Sequence, residues 1–383
     1  MLGARKLAVS GGNKFRDEHS LVFDGTSDYI QTGVKPVDTA DATYVFWVKS
    51  SETGENKSLF NHGGDRIGGF TINHGTSNKP LLYLNAELYQ YWADTPAQDD
   101  GQWHHWAVVV DINDMTACKL YVDGVEQTQG ARSTTDSITS YENFRIARGS
   151  SEYWAGSMSE FAIYDVMLSA SQVRTLYNGR DPYNHKEGIL TGNLKAWWRM
   201  GDGTLDTTKH FTSPVIEGGV LSDESQISYL GPDLVDDAMN ASNWTVWGNN
   251  TVELDSGAIK ITYVDNSSGA YFYLRNTDGM TEDITIGKVY KVSYQAKVNT
   301  GSIFTAISES DGFGATGNTT TSTSYVNYAI YIVGTATGDH YFYAGGMDAG
   351  EIMYYRNIKV QEVVGNTGVV VNMASAQFSG DAP

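Results

Sequence analysis

The stretch Trp154–Asn184, WAGSMSEFAIYDVMLSASQVRTLYNGRDPYN, constrains the fold more than any other part of the chain, because a strand-type alternation runs directly into one short helix with its own start and stop signals. Ser169 at the N-cap and Gln172 three residues on form a capping box, and Leu168 and Val173 are placed to close a hydrophobic staple over it. Gly179 supplies the stop. A lone capped helix at the end of a long series of strands predicts a core built from sheets rather than helices.

From Ser20 to Tyr183 strand patterns follow one another at short spacing, which argues for a sandwich over a parallel sheet. TYVFWVKS places Tyr44, Phe46 and Val48 on one face and Val45 and Trp47 on the other, as a central strand buried from both sides does. NFRIARG keeps Phe144 and Ile146 on one side, and EFAIYD does the same with Phe161 and Ile163. KLYVDGVEQ alternates up to an Asp123-Gly124 pair suited to a type I′ turn. Gly 41, Tyr 24 and Trp 9 against Pro 7 fit turn-rich antiparallel sheets with large packing side chains. The longest apolar runs are strand-sized, far below the ~20 residues of a membrane helix, so no membrane insertion is expected.

At 383 residues the chain exceeds the usual single core, and two domains are expected. Residues 1–19 read as an N-terminal docking arm, 20–200 as a first sandwich, 201–231 as a connector rich in Gly, Ser, Thr and Asp, 232–364 as a second sandwich and 365–383 as a C-terminal tail. VYKVSYQAKV is the cleanest alternation, with Tyr290, Val292, Tyr294, Ala296 and Val298 inward and Lys291, Ser293, Gln295 and Lys297 outward. AIKITYV, AYFYLRN, SIFTAIS, YAIYIVG, HYFYAGG and NIKVQEV complete about seven strands there. In the tail, Val369, Val370 and Val371 suit a strand added to a neighbouring subunit's sheet edge.

SLVFDGTSDYIQTG, DDGQWHHWAVVVD, KLYVDGVEQ and the strand-to-helix stretch, in that order, resemble a laminin-G-like (concanavalin A-like) jelly roll. SNWTVWGNN, GKVYKVSYQAKV and YYRNIKVQEV resemble the jelly-roll carbohydrate-binding modules of polysaccharide-active enzymes and phage fibres, although Arg356 precedes Asn357 where such modules usually carry an Asp. NLKAWWRMGDG is similar to the stretch that trails laminin-G-like domains in bacteriophage structural proteins. The resemblance implies an all-β chain of two antiparallel β-sandwich (jelly-roll) domains with one short helix at the end of the first. It implies a binding rather than bond-breaking role: a virion structural protein, in a tail fibre or capsid decoration, made in the host cytoplasm and carried on the virion surface. Expected partners are other virion proteins through the arm and tail, a cell-surface glycan and further copies of the chain. The alternative is a secreted carbohydrate-binding subunit of a polysaccharide-degrading system.

Net charge is −19, which disfavours nucleic acid because phosphate binding rests on clustered Lys and Arg. Arg5, Lys6, Lys14 and Arg16 outweigh Asp17 and Glu18 in the first 19 residues, so a basic arm precedes an acidic body. MLGARKLAVSGGNKF lacks the apolar region of a secretory signal, and folding in a cytosol is expected. Cys118 stands alone in TACKLYV and reads as a small buried hydrophobe.

No Gly-x-Ser-x-Gly elbow, His-Glu-x-x-His helix or phosphate-cradling loop occurs. Hydrolysis on a sandwich needs two carboxylates; the Glu-x-Asp-x-x-Glu strand of the related laminarinases is absent, and Glu309-Ser310-Asp311 is the nearest approach. Calcium is the one cofactor considered. The resemblance makes Asp24, Asp28 and Glu160 its candidate ligands, although Asp24 and Asp28 also suit an ordinary turn around Gly25. His104 and His105, adjacent on a strand, point to opposite faces and read as an exposed and a core histidine. Candidate sugar-stacking residues are Tyr89, Tyr91 and Trp92 in the first domain, and Trp244, Trp247, Tyr271, Tyr273, Tyr341 and Tyr343 in the second. Tyr271 and Tyr273 flank Phe272, and Tyr341 and Tyr343 flank Phe342, so two strands present paired tyrosines while phenylalanine enters the core.

Overall fold

The strand Ala42–Lys49 is buried along almost its whole length because both of its faces are covered. It lies between His104–Val110 and Ala155–Tyr164 in an eight-stranded antiparallel sheet. On one side Phe46 stacks on Phe161 at 5.0 Å between ring centroids, within a core shared with Phe60, Phe70 and Phe144. On the other, Val45 packs beneath Val173 and Leu176 of helix α1 (Ala170–Tyr177). The structure, a computed structural model, describes residues 15–32, 35–51, 57–63, 68–74, 79–85, 87–93, 99–134, 141–188, 190–206, 218–226, 228–235, 240–246, 250–264, 271–274, 281–282, 284–308, 318–334, 340–345, 348–373 and 375–383.

Among the described residues the strands form four antiparallel sheets and α1 is the one α-helix. The eight-stranded sheet faces a nine-stranded one across the first core; a six-stranded and a five-stranded sheet enclose the second. The capping box is present: the Ser169 side chain accepts from the Gln172 N–H, and Gln172 Oε1 accepts from the Ser169 N–H at 2.8 Å. The stop belongs first to Asn178, whose left-handed φ of 52° turns the chain before Gly179 continues it. Asp123 and Gly124, at φ 49° and 73°, form the expected hairpin turn. All seven strand patterns of the second domain are strands, and Val289–Val298 alternates between core and outer face from Tyr290 onward.

The domain order departs from the linear succession expected. Gly218–Leu221, read as connector, is an edge strand of the nine-stranded sheet, and its neighbour is Gly368–Val371 from the tail, with Val220 opposite Val369. Gly368–Val371 pairs on its other side with Tyr29–Thr32, and Phe378–Ser379 pairs with Ser20–Asp24. The tail therefore completes its own first sandwich rather than a neighbour's edge, and the second sandwich is an insertion between these two strands. Alternation marks an apolar strand but carries no information about whose edge it joins, which is why the tail and connector were misplaced.

The neck of the insertion is stitched by one carboxylate. Asp223 Oδ1 accepts from the Trp197 N–H at 2.9 Å, and Oδ2 accepts from the Asn366 N–H at 2.8 Å. Trp198 Nε1 donates to the Asn366 carbonyl at 2.8 Å. Above the neck, Val220, Val369 and Val371 of the first domain share an apolar cluster with Val289, Tyr331 and Val363 of the second. Val370→Ala removes buried methyls from the first core and is expected to cost about 2 kcal/mol. Thermal melting of the full chain should show the midpoint falling by roughly 4–8 °C, whereas a freely hanging tail would leave it unmoved.

Candidate functional site

The five-stranded sheet of the second domain carries the tyrosines on adjacent strands. Tyr271–Leu274 pairs with His340–Gly345 so that Tyr271 lies opposite Tyr343, Phe272 opposite Phe342 and Tyr273 opposite Tyr341. Trp244, opposite Leu274, is buried in the second core, and Thr319, opposite Phe304, is exposed. Thr245 lies opposite Tyr273, and Ser308 lies opposite Tyr341.

Two sequence candidates do not serve as sugar platforms. Trp244 is a core residue, and Trp92 is fully buried against Phe70 in the first core, because both occupy inward positions of their strands. Trp247 and Glu309–Asp311 lie outside the described residues. Tyr89 and Tyr91 share the outer face of Leu88–Trp92, half-buried, with ring centroids 5.5 Å apart in an edge-to-face pair. Next to them on the same face, the Tyr83 hydroxyl accepts a hydrogen bond from Asn61 Nδ2 at 3.4 Å and lies with Ser58 and Thr71. Tyr83 lies across Gly69, where a Cβ would stand 2.5 Å from its hydroxyl, so only glycine leaves the ring room. The polar floor around Tyr83 was missed from sequence; its one signal was polar residues at outward positions of apolar strands.

The proposed calcium ligands do not converge. Asp24 lies opposite Ala155, five residues along the strand from Glu160, a separation of about 16 Å. Asp24 closes the turn instead: Oδ1 accepts from the N–H groups of Thr26, Ser27 and Asp28, and Oδ2 from both hydroxyls of Thr26 and Ser27. Asp28 Oδ2 accepts from the Asp24 N–H at 3.0 Å. Burial and the neighbouring Asp24 charge lift the Asp28 carboxyl to about 6. Among the described residues no three His, Cys, Asp or Glu side chains group as a metal site.

Glu160 belongs to a different cluster. It is fully buried at a bulge, at φ 51°, and accepts from Trp197 Nε1 at 2.5 Å and Arg199 Nε at 3.0 Å. Asp17 lies against it and accepts from Ser159 Oγ at 2.7 Å. Burial, and after it the Glu160 charge, hold the Asp17 carboxyl far above the ordinary carboxylate range; burial also lifts Glu160 to about 7 against the opposing pull of Arg199 and Trp197. Phe15 covers the group, with the Arg199 guanidinium 4.5 Å from its ring centroid, and Asp202 accepts from the N–H groups of Glu18 and His19. Residues 15–19 of the arm thus dock on their own domain.

His104 and His105 divide as expected. His105 is buried, and desolvation pushes it down to about 4; His104 Nδ1 meets Asp123 Oδ2 at 2.7 Å and Nε2 meets Asp100 Oδ2 at 3.1 Å, which hold it above its ordinary value. Burial pushes the Cys118 thiol up to about 12, so it stays protonated and inert.

Residues 24–174 match the Laminin_G_3 family model, described as the concanavalin A-like lectin/glucanases superfamily. The sushi, von Willebrand factor type A, EGF and pentraxin domain-containing protein 1 of Rattus norvegicus is 24% identical over 202 residues, covering 50% of this chain and 5% of that protein. The Mus musculus counterpart is also 24% identical, over 200 residues, so the match spans only a small part of either curated relative. Among solved structures, a putative carbohydrate-binding protein from Bacteroides ovatus is similar with a TM-score of 0.37 and 16% identity, over 53% of this chain and 56% of that one. The heptameric SAP-like pentraxin of Limulus polyphemus has a TM-score of 0.34 at 14% identity, over 42% of this chain and 82% of that one. Domain 4 of the extracellular arabinanase AbnA of Geobacillus stearothermophilus, solved with arabinotriose, has a TM-score of 0.33 at 22% identity, over 41% of this chain and 76% of that one. The part of the first sandwich from residue 24 to 174 is thus similar to the concanavalin A-like family model, in keeping with its antiparallel sandwich fold.

The raised Asp17 carboxyl has a measurable consequence. A carboxyl raised above its unfolded value contributes stability that is complete below the ordinary aspartate value of 3.8 and is lost as pH rises toward the folded value. Asp17→Asn keeps an acceptor for Ser159 but never titrates. Melting midpoints of the two proteins should coincide near pH 4 and separate above it, with Asp17→Asn the more stable at pH 7–8. Parallel pH profiles would show that no proton is held there.

Proposed function

We propose that this chain is a non-enzymatic glycan-binding protein whose reading face is the outer side of the five-stranded sheet, and that it presents this face on the surface of a bacteriophage particle. The observation that supports the binding face is the register that sets Tyr271 opposite Tyr343 and Tyr273 opposite Tyr341 on adjacent strands. Four tyrosines in two cross-strand pairs make an aromatic platform about two strands wide, suited to stacking on the apolar faces of consecutive sugar rings. Thr245 and Ser308 flank it at positions where hydroxyls orient a sugar. The lectin-type jelly roll of the first half is consistent with attachment rather than turnover. Its buried carboxyl pair, Asp17 and Glu160, is engaged by Arg199, Trp197 and Ser159 under Phe15 and offers no open acid and base to a glycosidic bond.

The particle setting rests on NLKAWWRMGDG, the stretch similar to phage structural proteins. Presentation in several copies would multiply a weak single-site affinity. A secreted carbohydrate-binding subunit is the second reading, favoured by a family description that joins lectins with glucanases. Location separates the two: mass spectrometry should find the chain in purified particles, and recovery only from clarified medium would favour secretion. On a glycan array, Tyr271→Ala and Tyr341→Ala should each weaken binding by roughly tenfold, the equivalent of about 1.4 kcal/mol. Unchanged binding by both variants would remove the tyrosine face.

A further inference from the structure

The outer face of the six-stranded sheet carries a second, chemically different platform. In the strand Ile352–Val363 the register to Val289–Val298 shifts by one residue, Lys359 lying opposite Ser293 but Arg356 opposite Gln295. Asn357 absorbs the extra residue at φ 53°, a left-handed conformation that asparagine tolerates. In an unbroken ladder Arg356 and Tyr354 would oppose the inward residues Ala296 and Val298; the bulge rephases both to the outer face, opposite Gln295 and Lys297. A bulge that re-aims side chains in this way is a feature of binding surfaces more than of plain sheet faces.

The rephased side chains meet a matching set. Lys297 Nζ sits 4.5 Å from the ring centroid of Tyr354 and 4.9 Å from that of Tyr325, and the Arg356 guanidinium lies 3.7 Å from the centroid of Tyr325. Arg356 Nε donates to Gln295 Oε1 at 2.7 Å, and Gln295 Nε2 donates to Asn327 Oδ1 at 2.8 Å, so the guanidinium is fixed in plane. Neither Lys297 nor Arg356 has a carboxylate within 4.0 Å among the described residues, although the chain carries a net charge of −19. Of the acidic groups nearby, Glu253 is paired with Lys260 at 2.7 Å, and Asp255, whose charge reaches Tyr325, accepts from Ser256 Oγ at 2.9 Å. An acidic protein that leaves two ring-stacked, oriented cations with no carboxylate in contact presents a site for an anion supplied from outside.

We propose that this face binds an acidic polysaccharide through the carboxylates of its uronic or sialic acid units. Arg356 and Lys297 take the carboxylate, Tyr325 and Tyr354 cover apolar sugar surface, and the Gln295–Asn327 pair meets hydroxyls. A saccharide fits better than a free phosphate because the cations are flanked by rings that a compact ion would leave uncovered. The site lies on the six-stranded sheet, whereas Tyr271–Leu274 and His340–Gly345 belong to the five-stranded one, and it does not depend on them.

The test is retention of the full chain on immobilised polygalacturonate, alginate, hyaluronate and colominic acid, with methyl-esterified polygalacturonate and dextran as uncharged references. Retention on at least one acidic polymer and not on its uncharged reference is expected, weakening with added NaCl. Lys297→Gln combined with Arg356→Gln should weaken it at least tenfold with circular dichroism unchanged, while Lys35→Gln combined with Lys119→Gln, which removes two surface cations of the first sandwich, should leave it intact. Retention on none of the acidic polymers, equal retention of the charged and esterified forms, or an undiminished double variant at Lys297 and Arg356 would overturn the proposal. So would an equal loss on substituting Lys35 and Lys119, which would make retention a matter of overall charge, or full displacement by millimolar inorganic phosphate, which would reduce the site to a small-anion one.

Discussion

The strand Gly368–Val371 is the element on which the rest depends. It fills the gap between Tyr29–Thr32 and Gly218–Leu221, places Val370 in the first core and returns the chain from an insertion of well over a hundred residues. Without it the nine-stranded sheet would lose an edge strand and expose the ladder of another. Closing so long a loop carries an entropic cost that grows only with the logarithm of its length, and a folded insertion with neighbouring ends lowers it further. Asp223 holds those ends together by bonding to residues on both sides of the neck, Trp197 before it and Asn366 after it.

Two chain crossings and an apolar joint couple the sandwiches more firmly than a single connector would. Val220, Val369 and Val371 supply the joint from strands at the margin of the first sheet, and Val289, Tyr331 and Val363 meet them from the six-stranded sheet. The outer face of the six-stranded sheet is therefore divided along its length. The end near the neck is apolar and covered, whereas the end near Lys297 and Tyr354 is polar, aromatic and open.

Much of the first domain was legible because its signals are local. The Ser169–Gln172 box, the Asp123-Gly124 turn and the two-sided burial of Ala42–Lys49 each follow from residues a few positions apart. The strands Tyr271–Leu274 and His340–Gly345 were legible for the same reason, although their pairing, with Tyr271 opposite Tyr343, was not. What failed were readings that need a partner. Trp92 and Trp244 looked like exposed platforms, but each lies on the inward side of its strand, and inward is defined only by the opposing sheet. Glu160 looked like a ligand until Arg199, Asp17 and Trp197 were brought to it from other segments.

The sequence by itself determined the strands that alternate cleanly, where helix α1 begins and which residues of a strand share parity, since these are periodicities of the covalent chain. Only the tertiary structure decided that the tail completes the first sandwich, that the second is an insertion and that Asn357 turns Arg356 and Tyr354 outward. The physical reason is that a strand edge offers the same N–H and C=O groups to any partner. Long-range packing selects among pairings that local propensity leaves equivalent.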